Sequence, residues 1–136
     1  MKSTDELLNL LQNLDIEEFK KEDSFQNINI SEYLNELLQT QGLSPRDIII
    51  KLNMERSYAY QILKGRRNPT RNFLIRIALL CQLTVEETQK LLTAGNRPIL
   101  YPRNRFDAAV LYCIQHKLNE EELNELLLDI GEEMLS

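Results

Sequence analysis

The residues best suited to chemistry in this sequence lie in one stretch, RSYAYQILKGRRNPT, at residues 56–70. It holds Arg56, Lys64, Arg66 and Arg67 and no acidic side chain. Arginine can give paired hydrogen bonds to guanine, glutamine can do the same to adenine, and both lysine and arginine neutralise phosphate. On a helix, Arg56, Tyr60 and Lys64 follow at four-residue steps and share a face. Tyr58, Ala59, Ile62 and Leu63 then turn inward. The chemistry on offer is recognition of a polyanion.

Other chemistries are poorly supplied. His116 is the single histidine and is expected near a helix C-terminus, where a cation complements the dipole. No nucleophile, base and orienter fall together, and there is no glycine-rich phosphate loop. Cys81, Cys113 and His116 are too few and too spread for zinc. The expectation is a protein that is not an enzyme and needs no cofactor or metal. Both cysteines sit in apolar helical patterns and read as buried reduced thiols, which makes the cytoplasm the expected compartment. No apolar stretch approaches the ~20 residues of a membrane span, and the first residues lack a signal-peptide profile. No membrane partner is expected.

The net charge of −5 over 136 residues hides a strong asymmetry. Residues 1–40 hold three basic and nine acidic groups, residues 41–76 eight and two, and residues 77–136 five and ten. A basic middle between acidic flanks suits an anionic partner. The length and the 43% apolar content suit one compact domain with a real core.

The elements that must position these side chains all read as helices. Thr4 to about Leu14 carries a stripe of Leu7, Leu11 and Leu14 widened by Leu8 and Leu10, and Ile16 and Phe19 suggest a short second helix. Lys20 to Ile30, with Phe25 and Ile28, reads as a surface connector. Ser31 is expected to cap a helix through Gln41, apolar at Leu34, Leu37 and Leu38 and stopped by Gly42. Ser44-Pro45-Arg46-Asp47 has the form of a capping box with proline at the first helical position. That helix should end at Leu52, with Asn53 left-handed. A second short helix should run from Glu55 to Lys64 and end at Gly65, which makes a helix-turn-helix.

Thr70 is expected to cap a helix from Arg71 to Gln82. Thr84 with Glu87, Asn104 with Asp107, and Asn119 with Glu122 should start three more, ending near Gly95, Lys117 and Ile130. The loop Asn96 to Arg103 should be pinned by its ILY segment. LTVEETQKLL at 83–92 aligns with LNEEELNELL at 118–127 at an offset of 35, so a helical hairpin is used twice. Two copies fall short of a repeat array and should enlarge one core.

From Leu34 to about Leu92 the sequence resembles the Cro/C1-type (xenobiotic-response-element-like) helix-turn-helix of phage repressors and bacterial regulators. GLSPRDIIIKLNMERSYAYQILKGRRNPT follows that family's GLSxxELAxxLGVSxxxISxxExGxRxPS without a gap. The resemblance implies a lambda-repressor-like all-α bundle that binds double-stranded DNA. It implies that Arg56, Ser57, Tyr60 and Gln61 read bases in the major groove. Arg46, Lys64, Arg66, Arg67, Thr70 and Arg71 would meet phosphates, Thr70 by opening a helix with free backbone N–H groups. It also implies a homodimer on two half-sites.

The departures from the family pattern are informative. Leu38 and Leu63 stand where the family often pairs a buried Arg with a Glu, and a joint loss leaves no stranded charge. Ile49 and Ala59 exchange the usual large and small partners. Pro45 removes a polar side chain that reaches DNA, with Arg46 as a substitute. Asn53 replaces a glycine. Glu55 stands where Ser or Thr caps the reading helix, and glutamate caps poorly.

The expected organisation is an N-terminal helix and connector over 1–30, the helix-turn-helix domain over 31–95, and a C-terminal helical extension over 96–136 packed on the same core. The expected function is a sequence-specific DNA-binding transcriptional regulator. The rival reading is a protein interaction module on the same scaffold, adaptor or antitoxin-like. Its contact surface would be the N-terminal leucine stripe or the series Leu123, Leu126, Leu127, Ile130 and Met134. Burial against the domain's own core is the plainer expectation for both stripes. Arg97, Arg103 and Arg105 form a minor basic group, read as a solvated loop near flanking phosphate.

Overall fold

The computed structural model describes residues 3–22 and 29–136, and every regular element in them is a helix. In order these are α1 (Thr4–Asn13), α2 (Ile16–Lys21), α3 (Ile30–Thr40), α4 (Pro45–Lys51), α5 (Arg56–Leu63), α6 (Arg71–Leu80), α7 (Val85–Ala94), α8 (Arg105–Gln115) and α9 (Glu120–Asp129). The part of the expected connector that holds Phe25 and Ile28 lies outside the described residues.

One apolar core draws on every helix from α3 to α9. Leu34, Ile48, Ile62, Leu74, Ile77, Leu91, Val110, Leu123 and Leu127 are fully enclosed, and Leu135 closes the cluster from beyond α9. The apolar C-terminal series is therefore mostly internal: Leu123 and Leu127 are buried, Leu126 and Ile130 pack against the core, and Met134 stays exposed. The N-terminal stripe behaves differently. No residue of α1 or α2 is buried, and Leu8, Ile16 and Phe19 are 60%, 73% and 49% exposed. The expected burial of that stripe is not met, because neither helix contributes to the core cluster.

The joints follow from local chemistry. Ser44 with Asp47, Thr84 with Glu87, and Asn119 with Glu122 each close a reciprocal capping box. Thr70 caps α6 through its hydroxyl, which accepts from Phe73 N at 3.1 Å. α6 stops at Leu80, short of the expected Gln82, because Gln82 itself takes the left-handed conformation at φ 52°. Ser31 does not cap α3. Asn29 Oδ1 accepts from the N–H groups of Ser31 and Glu32 and from the Ser31 hydroxyl. The Asn29 amide oxygen is in place two residues earlier, so Ile30 opens the helix and Ser31 is buried inside it.

The sequence echo is a structural repeat. The bounds of α7 and α9 differ by 35 residues, as do the C-terminal ends of α6 and α8. Left-handed Gln82 corresponds to Lys117, and left-handed Asn96 to Gly131. Leu83 N bonds Ala78 O as Leu118 N bonds Cys113 O. Buried Ile75 and Leu79 match buried Val110 and Ile114. The second hairpin packs on the first within one core.

Arg76 and Gln89 are among the side chains that tie the extension to the preceding helices. Arg76 on α6 bonds the Leu52 carbonyl that closes α4 and the Glu120 carboxylate that opens α9, the latter at 2.5 Å. Gln89 bonds both the N–H and the carbonyl of Leu100, which buries Leu100 and leaves Ile99 and Tyr101 outside. Cys81 and Cys113 are free and buried, and burial pushes the Cys81 thiol up to about 11. Among the described residues no helix is long and apolar enough to cross a membrane.

Candidate nucleic-acid interface

α4 and α5 are set by their joints. Asn53 is left-handed at φ 48°, and Met54 N bonds back to Ile49 O at 3.1 Å, so the chain turns sharply between the two helices. α5 ends the same way. Gly65 has φ 76°, and Arg66 N bonds Gln61 O at 2.9 Å. A Cβ at Gly65 would lie 3.1 Å from Ser31 Oγ, so glycine also answers a close approach to α3. Asn35 on α3 donates to the Leu63 carbonyl at 2.9 Å and to its own helix at Ser31 O. It positions the end of α5, and nothing local in the sequence marks it out.

The inward face of α5 is Ala59, Ile62 and Leu63, all buried. Leu38 is buried with Leu63 in the same cluster, so the apolar exchange at those two positions leaves no lone charge inside. Tyr58 packs edge-on against Phe73 at 6.0 Å, and the Arg67 guanidinium rests 4.7 Å from its ring. That stacking holds Arg67 at the root of the loop after α5.

Arg56, Ser57, Gln61 and Lys64 are exposed, and Tyr60 stands half-buried among them. The Arg56 guanidinium lies 5.4 Å from the Tyr60 ring centre and Lys64 Nζ 5.8 Å, so one aromatic ring gathers two cations. Gln61 Nε2 donates to Ser57 Oγ at 3.2 Å, which orders the amide along the helix. Arg46 and Ile50 of α4 line one hollow with Arg56 and Tyr60 of α5. Among the described residues, none of Arg46, Arg56, Lys64, Arg66 and Arg67 enters an ion pair. The result is an exposed cluster of cations, Arg46, Arg56 and Lys64, around Tyr60, with Arg66 and Arg67 exposed just beyond α5.

Arg71 does not join that face. Its guanidinium donates to Asp107 Oδ1 and Oδ2 at 2.9 Å each, while Nε bonds Pro98 O and Nη2 bonds Ile99 O. Four of its five N–H groups are engaged inside the fold, so Arg71 is held against the α7–α8 loop and α8 rather than presented for the phosphate contact expected of it. Asp107 in turn does not complete a capping box. Asn104 caps α8, but the Asp107 carboxylate takes Arg71 and the Tyr101 N–H instead. Arg97 is likewise engaged with Pro69 O and Arg105 with Ile130 O, so these arginines serve loops and helix ends. His116 closes α8 and stacks on Tyr112 at 4.2 Å. Among the described residues no group of His, Cys, Asp or Glu could hold a metal ion.

A family model described as a helix-turn-helix domain matches residues 30–91, which spans α3 to α7 and less than half of the chain. Neither a curated protein nor a solved structure matches. The fold is all-α with a helix-turn-helix domain at its centre, a motif whose second helix characteristically enters the major groove of DNA.

Proposed function

We propose that the chain is a sequence-specific double-stranded-DNA-binding transcriptional regulator of the Cro/C1 type, reading the major groove with α5. The observation that carries this reading is the Tyr60 ring with Arg56 and Lys64 gathered on it, neither cation entering an ion pair among the described residues. Charged groups on a surface are ordinarily met by counter-charges or water. A cationic face assembled around an aromatic ring on the second helix of this motif has the form of a groove reader. Arg56, Ser57, Tyr60 and Gln61 are the base-reading set. Arg46, Lys64, Arg66, Arg67 and the start of α6 at Thr70 are the phosphate set. Arg71 is left out because four of its five N–H groups are engaged within the fold.

Binding to randomised duplex DNA at several salt concentrations tests this. The expected result is enrichment of one motif, with affinity falling steeply as salt rises. Arg56→Ala should cost about 1–3 kcal/mol and relax one position of that motif. Weak binding at low salt with no enriched motif would overturn the reading.

The exposed apolar side of α1 and α2 favours a protein contact in addition, either a second copy in a homodimer or another partner. If DNA selection fails, an interaction module built on the same scaffold becomes the better account.

A further inference from the structure

Four joints of the fold share one backbone device. A left-handed residue, Gly42, Asn53, Gln82 or Lys117, is followed by a large apolar residue. The N–H of that apolar residue, Leu43, Met54, Leu83 or Leu118, bonds the carbonyl five residues back. The next position opens the following helix, and there the four part company. Ser44, Thr84 and Asn119 cap their helices through their side chains. Glu55 makes no capping bond. Among the described residues its carboxylate takes neither a hydrogen bond nor an ion pair.

Glu55 nevertheless lines one recess with Arg56, Ser57, Tyr60 and Lys64 of the outward side of α5. A negative charge so placed is repelled by phosphates, and it forgoes the cap that its three counterparts provide. The approach that satisfies it is one that brings a neutral donor to it. On the floor of the major groove the available donors are the exocyclic amines, N4 of cytosine and N6 of adenine. Adenine sets its N7 lone pair beside N6, which opposes a second carboxylate oxygen. Cytosine offers N4–H with no acceptor of its own beside it in that groove. Its partner guanine presents O6 and N7, which suit the neighbouring arginine.

We propose that Glu55 is a specificity-determining residue of the interface, accepting a hydrogen bond from the N4 amine of a cytosine next to the guanine bound by Arg56. This rests on the reading of α5 as a DNA-reading helix. The adjacent opposite charges of Glu55 and Arg56 then match the donor and acceptors displayed by C·G pairs, and an uncapped helix start is the consequence of using that position for a base.

Three proteins separate the possibilities: the unaltered chain, Glu55→Ser and Glu55→Gln, each used to select from randomised duplex DNA and each melted in parallel. Glu55→Ser restores the kind of cap found at Ser44, so its thermal midpoint should equal or exceed that of the unaltered chain. Its selected motif should lose discrimination for cytosine by roughly ten-fold or more at one position, with the others kept. Glu55→Gln should move the preference at that position from cytosine to adenine, which glutamine reads through N6 and N7. A motif unchanged in both variants, a cytosine preference that survives Glu55→Gln, or an equal loss of affinity for every sequence would overturn the proposal while leaving DNA reading by α5 intact. Absence of any enriched motif for the unaltered chain would overturn both.

Discussion

Arg71 and Asp107 form a two-pronged ion pair, Nη1 to Oδ1 and Nη2 to Oδ2 at 2.9 Å each, between the first residue of α6 and the first turn of α8. The carboxylate is enclosed and also accepts the Tyr101 N–H, so a single side chain on α8 holds both α6 and the α7–α8 loop. Removing it strands a guanidinium and an amide. Asp107→Ala should therefore destabilise the fold by about 3 kcal/mol, and urea unfolding would measure it. A loss below about 1 kcal/mol would mean that solvent replaces the carboxylate at little cost.

The division of arginines into spent and unspent predicts a contrast in salt dependence. Lys64→Ala and Arg66→Ala should each weaken binding to all sequences alike and reduce the slope of log affinity against log salt by about 1. Both variants keep their unfolding midpoint, because neither side chain makes an ion pair among the described residues. Arg71→Lys should do the reverse. Its two-pronged pair with Asp107 is lost and stability falls, while the salt slope of the folded protein stays where it was. Titrations at four or five salt concentrations, done on the same preparations as the melts, read both effects.

What was legible in the sequence was chemistry completed within a few residues. Ser44 with Asp47, Thr84 with Glu87, and Asn119 with Glu122 close as their spacing predicts, and Asn53 turns left-handed where a glycine is usual. The alternation of Arg56, Tyr60 and Lys64 outward with Ala59, Ile62 and Leu63 inward follows from helical period alone. Contacts across long separations were not legible. Arg71 lies in a basic run and reads as a surface cation, because its partner is 36 residues away on another helix. Asp107 reads as a capping acid for the same reason. Arg76 with Glu120 and Asn35 with the Leu63 carbonyl join positions 44 and 28 apart, and no local pattern announces either. The N-terminal leucines show the limit from the other side, since helical period predicts a stripe and says nothing of what covers it.

The capping boxes imply a defined acid sensitivity. The Ser44 N–H and hydroxyl hold the Asp47 carboxyl below its ordinary 3.8, and those of Thr84 hold Glu87 below its ordinary 4.5. A group whose pKa is lowered on folding stabilises the fold above its ordinary value and loses that contribution as pH falls through the folded one. Stability should thus be flat near neutrality and decline in the region below 4.5, first through Glu87 and then through Asp47. The double variant Asp47→Asn, Glu87→Gln should melt earlier than the unaltered chain near neutrality. Its midpoint should also fall less on acidification, and a thermal series across pH would show the two curves converge.

The last prediction concerns Arg76, which reaches from α6 to both the Leu52 carbonyl and the Glu120 carboxylate. Leu52 closes α4, one residue before left-handed Asn53 turns the chain toward α5, so the pitch of α5 is held partly from behind. Arg76→Ala frees that carbonyl and leaves the partly enclosed Glu120 without its cation, at a cost of about 2 kcal/mol. Amide exchange should quicken at Asn53 and Met54 and in the first turn of α9, with α7 little changed. Arg76→Lys should rescue only part of the loss, because a single ammonium cannot reproduce a planar fork directed at two acceptors on different helices. If the exchange rates at Asn53 and Met54 are those of the unaltered chain in both variants, the turn is held by its own backbone bonds, and Arg76 serves only to seat α9.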